Sequence, residues 1–390
     1  MRIVGVDPGT KTFDIVALEE GVIVAEKSLD TITIAKDPQK LMEAIDSLNP
    51  DYVVAPSGYG IPLTFGDNVR NSRRLAVEVL LLSSEEDIKI GVEAGEIGIW
   101  VYDAIAKTIS HLVNGYRERA VFLPGVIHLP TVPWYRKINK VDMGTVDKLA
   151  STFLAVFEIS ERFNVDYSDV NLIVVELGYG YIATIAVEKG VIVDGIGGTY
   201  ASIGTLTAGA LDLEVVVGAK SWSRWDVFHG GIFYKSSTFD LSTVIKGFEK
   251  SEEPYTSMFR VFIESIVKDV NRVRASTPRS DIVVLTGRHS RYEVVAKHIR
   301  EYLKDLDVIT LRGLKGVSKA KEAAQGYTAI GEGIVGGVFK ELAEHMKVKD
   351  ACGTAVDYII HPRAKNFVER VRGAYIESIY KPKLCEEGSL

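Results

Sequence analysis

The chain has 390 residues, of which 46% are hydrophobic and 25% are charged, so it can bury a large core and is long enough for two domains. The formal net charge of −6 and the lack of a long Lys/Arg block argue against a nucleic-acid partner, because phosphate neutralisation dominates such binding. Only Cys352 and Cys385 occur, and Met1 leads straight into a strand without a signal segment or a membrane span. We therefore predict a cytoplasmic protein without a membrane partner.

The chain opens with "MRIVGVDPGT", an apolar run that ends in Asp7 and a glycine-bearing turn. The hairpin pattern that follows, "IVALEEGVIVAE" at 15–26, recurs as "TIAVEKGVIVDG" at 184–195, and there "NLIVVELGYG" takes the place of the opening run. In both copies two β-branched runs flank an acidic residue and a Gly that supplies the positive φ of a tight turn. We interpret the copies as an internal duplication of a strand–turn–strand–hairpin–strand unit. The alternative is a chance similarity between short apolar runs.

Helices and single strands follow each of these units. In the first half, the pattern predicts a helix at 37–49, a strand at 51–56, a long helical region at 73–113 and a strand with a turn at 120–135. In the second half, it predicts strands at 281–287 and 307–311 and helices at 145–163, 255–276, 290–305, 318–346 and around 367–380. The "GEGIVG" run at 331–336 lies inside a predicted helix, so we interpret it as small residues for close packing and not as a dinucleotide loop.

The two copies of a β1-turn-β2-β3 unit resemble the way in which the superfamily of actin, sugar kinases and heat-shock-chaperone ATPases holds ATP. The resemblance implies an α/β fold with two ribonuclease-H-like domains, each built from one unit with helices, that face each other across an ATP cleft. It divides the chain into an N-terminal domain at 1–140, a C-terminal domain at 141–346 and a helical extension at 347–390.

The two glycine-bearing turns resemble the phosphate loops of that superfamily, and the residues concerned are Gly9, Thr10, Lys11, Thr12, Gly178, Tyr179 and Gly180. Glycine in a turn between adjacent strands lets backbone N–H groups approach phosphate oxygens, and a carboxylate at the strand end can hold Mg²⁺ through its water shell. Asp7 is our first candidate for the Mg²⁺ contact, and Glu176, directly before the second turn, is another. The alternatives are that Asp7 only begins an Asp-Pro-Gly turn and that Glu176 is a strand-end residue satisfied by the backbone.

A more specific resemblance covers 51–337 and is to butyrate kinase, in the acetate-kinase branch of the superfamily. The segment "DYVVAPSGYGIPLTFG" is similar to that family's substrate segment, "NLIVVELGYGYIATIAVEKGVIVD" to its second phosphate unit, and "DIVVLTGRHSRYEVVAKHIREYL" to its adenosine segment. The resemblance implies ATP-dependent phosphoryl transfer to a small acceptor, and it also suggests a homodimer. It places substrate contacts at Ser57, Gly58 and Gly60 and adenosine contacts at Gly287 and Arg288.

The chain departs from the butyrate kinase pattern at the residues that handle the carboxylate. The family's first substrate arginine falls on Pro56, "TYASIGT" at 199–205 lacks the later arginine, and Gly125 stands at the place of a family Asp. Arg288 replaces the second glycine of the adenosine motif. Arginine suits both a carboxylate and a transferring phosphoryl group, so these changes make butyrate itself a poor fit as the acceptor.

Two groups of residues are candidates for the missing chemistry. Arg70, followed by Arg73 and Arg74, could meet an anionic acceptor, or it could belong to a solvated helix start. His128 is either a catalytic group near the cleft or a packing residue.

A third candidate is the helix N-terminus for which Thr145 is a plausible cap. If this end faces the cleft, Lys148 and the N–H groups could bind an anion, and Asp142 or Asp147 could act as general base. The alternative is a helix cap with a surface ion pair.

Our leading hypothesis is a kinase that uses ATP and Mg²⁺ to phosphorylate a small, anionic acceptor. A second hypothesis keeps ATP binding but uses it as a conformational switch, as in the related chaperone ATPases. A third treats the opening strand as part of a ribonuclease-H-like nuclease, which needs several acidic residues on two metals. The second copy of the unit and the acidic net charge argue against the nuclease.

Overall fold

The computed structural model describes residues 1–317 and 319–386. Within these residues the strands form two sheets. The first has the order β3-β2-β1-β4-β6-β5 and consists of β1 (Arg2–Pro8), β2 (Thr12–Glu19), β3 (Val22–Asp30), β4 (Tyr52–Val54), β5 (Gly60–Phe65) and β6 (Ala120–Pro124). The second has the order β11-β10-β7-β8-β9 and consists of β7 (Leu172–Leu177), β8 (Ile182–Glu188), β9 (Val191–Ile196), β10 (Ile282–Thr286) and β11 (Asp307–Thr310).

The predicted duplication is present in the sheets. β1, β2 and β3 pair antiparallel in sequence and β4 joins β1 in parallel, while β7, β8 and β9 repeat this arrangement with β10 parallel to β7. Both hairpin turns place two consecutive residues at positive φ, Glu20 and Gly21 at 48° and 75° and Lys189 and Gly190 at 51° and 71°. This is the turn geometry that matches the twist of paired strands, and it confirms the hairpins expected from the repeated pattern.

The helices are α1 (Thr31–Lys36), α2 (Gln39–Asp46), α3 (Ser72–Arg74), α4 (Glu85–Glu93), α5 (Ile97–Tyr116), α6 (Trp134–Lys137), α7 (Val146–Phe163), α8 (Leu213–Ala219), α9 (Ile232–Ser236), α10 (Leu241–Glu249), α11 (Tyr255–Arg274), α12 (Glu293–Tyr302), α13 (Glu322–Ile334), α14 (Lys340–His345) and α15 (Lys365–Ser378). A π-helical stretch, Leu75–Leu80, continues α3. Residues at positive φ divide two of the predicted helices. Leu82 and Gly95 flank α4 inside the region 73–113, and Gly336 separates α13 from α14.

The two halves share one core around α7 and α13. α13 packs on β1 and β2, α7 packs on β7 and β8, and the two helices pack on each other. All residues of α13 are buried. The helices approach closely where Gly326 meets the backbone of Ala150, because a Cβ at Gly326 would overlap the Ala150 carbonyl oxygen. The "GEGIVG" run serves the same purpose, since Gly331 leaves no room for a Cβ beside Val54, and this confirms its interpretation as a packing motif.

The residues after 346 pack against the first half of the chain. Ala374 and Tyr375 of α15 belong to the core that includes the π-helical stretch, and Ile379 forms an antiparallel bridge with Val69. Cys352 and Cys385 form a disulfide with a Cα–Cα distance of 5.0 Å, a pairing that the sequence did not predict. No helix in the described ranges is long and apolar enough to cross a membrane.

The close crossing of α7 and α13 leads to a stability prediction. Gly326→Ala should lower the free energy of unfolding by about 1–3 kcal/mol, because the new Cβ meets backbone that cannot move aside. Gly373→Ala in α15 is the matched control, since its Cβ would have no atom within 4 Å. The control should raise stability by up to about 1 kcal/mol through helix propensity. Urea denaturation measures both, and equal effects would contradict the close crossing.

Candidate functional site

Each of the two predicted phosphate turns is fixed by hydrogen bonds from elsewhere in its own half. In the first turn, the Thr31 hydroxyl donates to the Gly9 carbonyl over 2.8 Å, and Gly9 N–H donates to the Asp7 carbonyl over 3.0 Å. In the second, the Gly180 carbonyl accepts the Thr207 hydroxyl at 3.1 Å, and the Tyr179 carbonyl accepts the Thr205 hydroxyl. The backbone of both turns is therefore held in place without any ligand.

The two turns face each other. A Cβ at Gly180 would lie 3.4 Å from the Thr10 hydroxyl, and the Lys11 ammonium lies 5.6 Å from the centre of the Tyr179 ring. Arg288 donates from Nη2 to the Thr12 hydroxyl at 2.9 Å, which joins the predicted adenosine segment to the first turn. The structure thus brings the predicted nucleotide-binding residues together, and it shows the turns in contact rather than separated by an open cleft.

Lys321 directly precedes α13, and its ammonium group lies in the first of the two predicted phosphate turns. Its Nζ lies 2.5 Å from Asp7 Oδ2, 4.0 Å from Asp14 Oδ2 and 3.4 Å from the Thr12 carbonyl oxygen. A Cβ at Gly9 would overlap this ammonium group. Sequence reasoning missed Lys321 because about 300 residues separate it from the turn and no motif marks it.

A second buried lysine, Lys148, connects the start of α7 to the end of β7. Its Nζ lies 2.5 Å from Asp147 Oδ2 and 3.5 Å from Glu176 Oε2. Thr145 occupies the N-cap position as predicted, but its hydroxyl donates to Asp147 Oδ1 over 2.5 Å instead of capping the helix. The predicted helix N-terminus therefore faces the strand ends and is more than a surface cap.

Glu176 is the least satisfied of these carboxylates. Its Oε2 is buried and has no hydrogen-bond partner, although Lys148 lies within ion-pair distance. Gly287, at φ +85°, packs so closely that a Cβ there would lie 2.6 Å from Glu176 Oε1. Burial raises the pKa of Glu176 to about 7, against the opposing attraction of Lys148. Glu176 thus lies beside both the second phosphate turn and the adenosine segment, and Lys148 is its ion-pair partner.

Electrostatic coupling links the carboxylates of the two halves. Burial raises the pKa of Asp7 above its usual range, Lys321 opposes this rise, and the charge of Asp147 adds to it. For Asp147, burial also raises the pKa, but Lys148 and the hydrogen bonds that it and Thr145 donate outweigh burial and leave the pKa lowered. Asp7, Asp147 and Glu176 thus form one charged network with the two lysines, which we call the lysine–carboxylate network.

The network fits Mg²⁺ bound through water and phosphate oxygens. Across residues 1–317 and 319–386, no group of three or more His, Cys, Asp or Glu side chains is arranged to hold a metal ion by itself. The buried Oε2 of Glu176, 3.5 Å from Lys148 Nζ, would accept a hydrogen bond from a water on the ion, and Asp7 would do the same from the other half.

Asp142 and His128 lie outside the network. Asp142 Oδ1 accepts Gly144 N–H at 2.8 Å, and burial raises the pKa of Asp142 to about 6. His128 is fully buried, its Nδ1 accepts Gly125 N–H at 3.2 Å, and burial lowers its pKa to about 3. Full burial and a hydrogen bond within its own turn favour the packing alternative for His128.

The predicted substrate residues lie against the start of α7. The Gly58 carbonyl accepts Val146 N–H at 3.1 Å, and the buried Ser57 hydroxyl has no hydrogen-bond partner among the described residues. Gly60, at φ +82°, leaves no room for a Cβ beside the Gly125 backbone. These three residues therefore border the start of α7, where Lys148 lies.

Arg70, which follows the predicted substrate segment, is exposed, and its guanidinium lies 4.8 Å from the centre of the Tyr380 ring. Arg73 pairs with Glu85 and Asp103, and Arg74 pairs with Glu78 and Glu377. Carboxylates thus neutralise Arg73 and Arg74, as in the solvated alternative. Sequence reasoning also missed Arg224, which hydrogen-bonds the Leu81 carbonyl of the first half over 2.9 Å.

The raised pKa of Glu176 leads to a pH prediction. Its pKa rises from the usual 4.5 to about 7, so folding favours the protonated form and stability falls as pH rises through this window. The free energy of unfolding of Glu176→Gln, measured relative to the wild type, should therefore rise by about 2 kcal/mol from pH 5 to pH 8. Urea denaturation at the two pH values measures this difference. Glu249→Gln, on the exposed end of α10, should show no such change, and an equal change in both variants would contradict the burial of Glu176.

Two solved structures are similar to this chain. The acetate kinase of Porphyromonas gingivalis matches with a TM-score of 0.55 and 12% identity, over 83% of this chain and 97% of that one. A propionate kinase from Francisella tularensis matches with a TM-score of 0.54 and 14% identity, over 84% and 98%. At such identities the likeness establishes the fold, and it confirms the predicted class of two ribonuclease-H-like α/β domains. A family model described as "Protein of unknown function (DUF1464)" matches residues 5–361, so the chain belongs to the DUF1464 family.

Proposed function

We propose that the protein is an ATP-dependent phosphotransferase that resembles butyrate kinase and transfers the γ-phosphoryl group to a small, anionic acceptor. One observation carries the proposal: two glycine turns from duplicated units meet at a buried network of two lysines and three carboxylates. Backbone N–H groups in such turns bind phosphate, and buried ammonium groups neutralise the charge of a transferring phosphoryl group.

The turns and the adenosine segment would hold the nucleotide. A Cβ at Gly9 or Gly178 would collide with neighbouring atoms, so both positions require glycine and keep the backbone open to phosphate oxygens. Gly287 and Arg288 follow β10 on the same side and would lie beside the adenosine. Both halves would therefore hold the phosphates, and the second half would also hold the adenosine.

Lys148 and Lys321 take the part that arginines play in the butyrate kinase pattern. Each is buried among carboxylates, which raise the pKa of both lysines against the lowering effect of burial. Both ammonium groups are therefore charged at neutral pH. Fixed charges in a site that excludes water stabilise a transition state more strongly than solvated ones.

Asp7 and Glu176 would hold Mg²⁺ through its water shell, one from each half. When bound, the ion neutralises charge on the β- and γ-phosphates. Closure of the two halves around the bound nucleotide would exclude water, which otherwise competes with the acceptor.

The hydrogen bond between Arg288 and Thr12 favours a second candidate function, an ATP-driven switch. Arg288 and Thr12 join the halves through residues that would touch nucleotide, so nucleotide binding would compete with this contact. The two functions differ in what stimulates turnover. A small molecule should stimulate a kinase, whereas a protein partner should stimulate a switch.

Calorimetric titration with Mg-ATP tests the nucleotide site. We expect binding by the wild type and an approximately tenfold loss of affinity, about 1.4 kcal/mol, in Asp7→Asn and in Lys321→Met. Lys40→Met, on the exposed face of α2, should bind like the wild type. In excess EDTA the effect of Asp7→Asn should vanish, because the carboxylate acts through the metal. Failure of the wild type to bind, or equal binding by all variants, would contradict the proposal.

A further inference from the structure

Arg224 forms no ion pair with any carboxylate in the described part of the chain. Its Nη2 donates to the Leu81 carbonyl at 2.9 Å and to the Tyr102 hydroxyl at 3.0 Å, and the guanidinium lies 5.3 Å from the centre of the Tyr102 ring. Its Nε is buried and has no hydrogen-bond partner. Among the ion pairs of the described residues, none involves Arg224, in contrast to Arg73 and Arg74.

Three tyrosines surround this guanidinium. Tyr59 and Tyr102 come from the first half and Tyr181 from the second, and all three are partly accessible to solvent. Burial raises the pKa of Tyr59 to about 12 and also raises the pKa of Tyr102 and Tyr181. The three phenols are therefore neutral hydroxyl groups at physiological pH and cannot supply the missing negative charge.

A partly accessible but unpaired arginine is the arrangement expected of an anion site. Removing a charge from water costs several kcal/mol unless an opposite charge or sufficient hydrogen bonds compensate. Arginine also has the planar fork that binds carboxylate or phosphate oxygens in pairs. Arg224 connects the two halves of the chain. It follows β9 in the second half, and it hydrogen-bonds the carbonyl of Leu81, which precedes α4 in the first half.

The anion site adjoins the start of α7. The carbonyl of Gly58, next to Tyr59, accepts the N–H of Val146, so the segment with Tyr59 is fixed to the loop that carries Asp142. The charge of Asp142 acts on Tyr59 and Tyr102 on one side and on Lys148 on the other. Asp142 is therefore within electrostatic range of both the anion site and the lysine–carboxylate network.

We propose that the acceptor is a small hydroxy-anion, whose anionic group binds Arg224 and the tyrosine hydroxyls while its hydroxyl group meets Asp142. This rests on the proposed phosphotransferase function and specifies its acceptor. In the transfer step, the acceptor oxygen forms a bond to the γ-phosphorus, and the bond from that phosphorus to the bridging oxygen of ADP breaks. Asp142 takes the hydroxyl proton, so the products are a phosphate ester, ADP and one proton.

Ligand-observed NMR titrations of the full-length protein test the anion site with three probes: lactate, propionate and glycerol 3-phosphate. We expect lactate or glycerol 3-phosphate to bind the wild type, and Arg224→Gln to weaken that binding at least about tenfold. Arg73→Gln, a surface arginine with two carboxylate partners, is the matched control and should bind like the wild type. The probe that binds more tightly identifies the anion as a carboxylate or a phosphate.

A milder variant guards against a folding defect in Arg224→Gln. Tyr102→Phe removes one hydroxyl that hydrogen-bonds Arg224 and leaves the charge in place, so it should weaken the same probe about threefold. Failure of both hydroxy-anions to bind the wild type, or unchanged binding in Arg224→Gln, would overturn the anion site.

The role of Asp142 is tested by transfer rates with Mg-ATP. Asp142→Asn should lower phosphorylation of the bound probe at least about 100-fold while its dissociation constant stays within about twofold. Propionate, which lacks the hydroxyl, should be phosphorylated far more slowly than lactate, and an equal rate would overturn the assignment of a hydroxyl.

The two proposals fail separately. Binding of Mg-ATP without any binding of hydroxy-anions would overturn the acceptor and leave the nucleotide site. Arg224-dependent binding of a hydroxy-anion by a protein that does not bind Mg-ATP would overturn the phosphotransferase and leave the anion site.

Discussion

The close crossing of α7 and α13 determines where the charged groups of the site lie. The helices meet at Gly326 and Ala150 with no room for a Cβ, and each packs on the sheet of a different half. Their N-terminal ends therefore lie beside the ends of β1 and β7, which carry Asp7 and Glu176. Lys321 precedes α13 and Lys148 lies in the first turn of α7, so a packing constraint between helices places both ammonium groups at the phosphate turns.

The lysine–carboxylate network is costly to bury, and this cost is what makes it informative about function. Ion pairs that are removed from water contribute little net stability, and hydrophobic residues of similar size often replace them without loss. Glu176 retains an oxygen without a hydrogen bond, and Arg224 retains an Nε–H without one. These two unsatisfied atoms are consistent with a site that is completed by ligands, with phosphates near Glu176 and an anion near Arg224.

The sequence predicted features whose signals are local. The duplicated strands, both hairpins, the two glycine-bearing turns after β1 and β7 and the start of α7 depend on neighbouring residues, and all were found where expected. Lys321 and Arg224 escaped prediction because their partners lie more than a hundred residues away and no spacing marks them. The contact of Arg70 with the Tyr380 ring likewise could not be predicted, because Tyr380 comes from the far end of the chain. The helical region predicted at 73–113 is interrupted at residues with positive φ, such as Leu82. The tertiary structure outweighs helical periodicity there.

The central claim is that this site moves a phosphoryl group from ATP to a small molecule. Phosphorus NMR of the protein with Mg-ATP and a mixture of short carboxylates and hydroxy-anions follows every phosphorylated species at once. The account predicts a new phosphate ester that accumulates together with ADP and faster than inorganic phosphate. Release of inorganic phosphate alone, at a rate that no small molecule in the mixture changes, would contradict it.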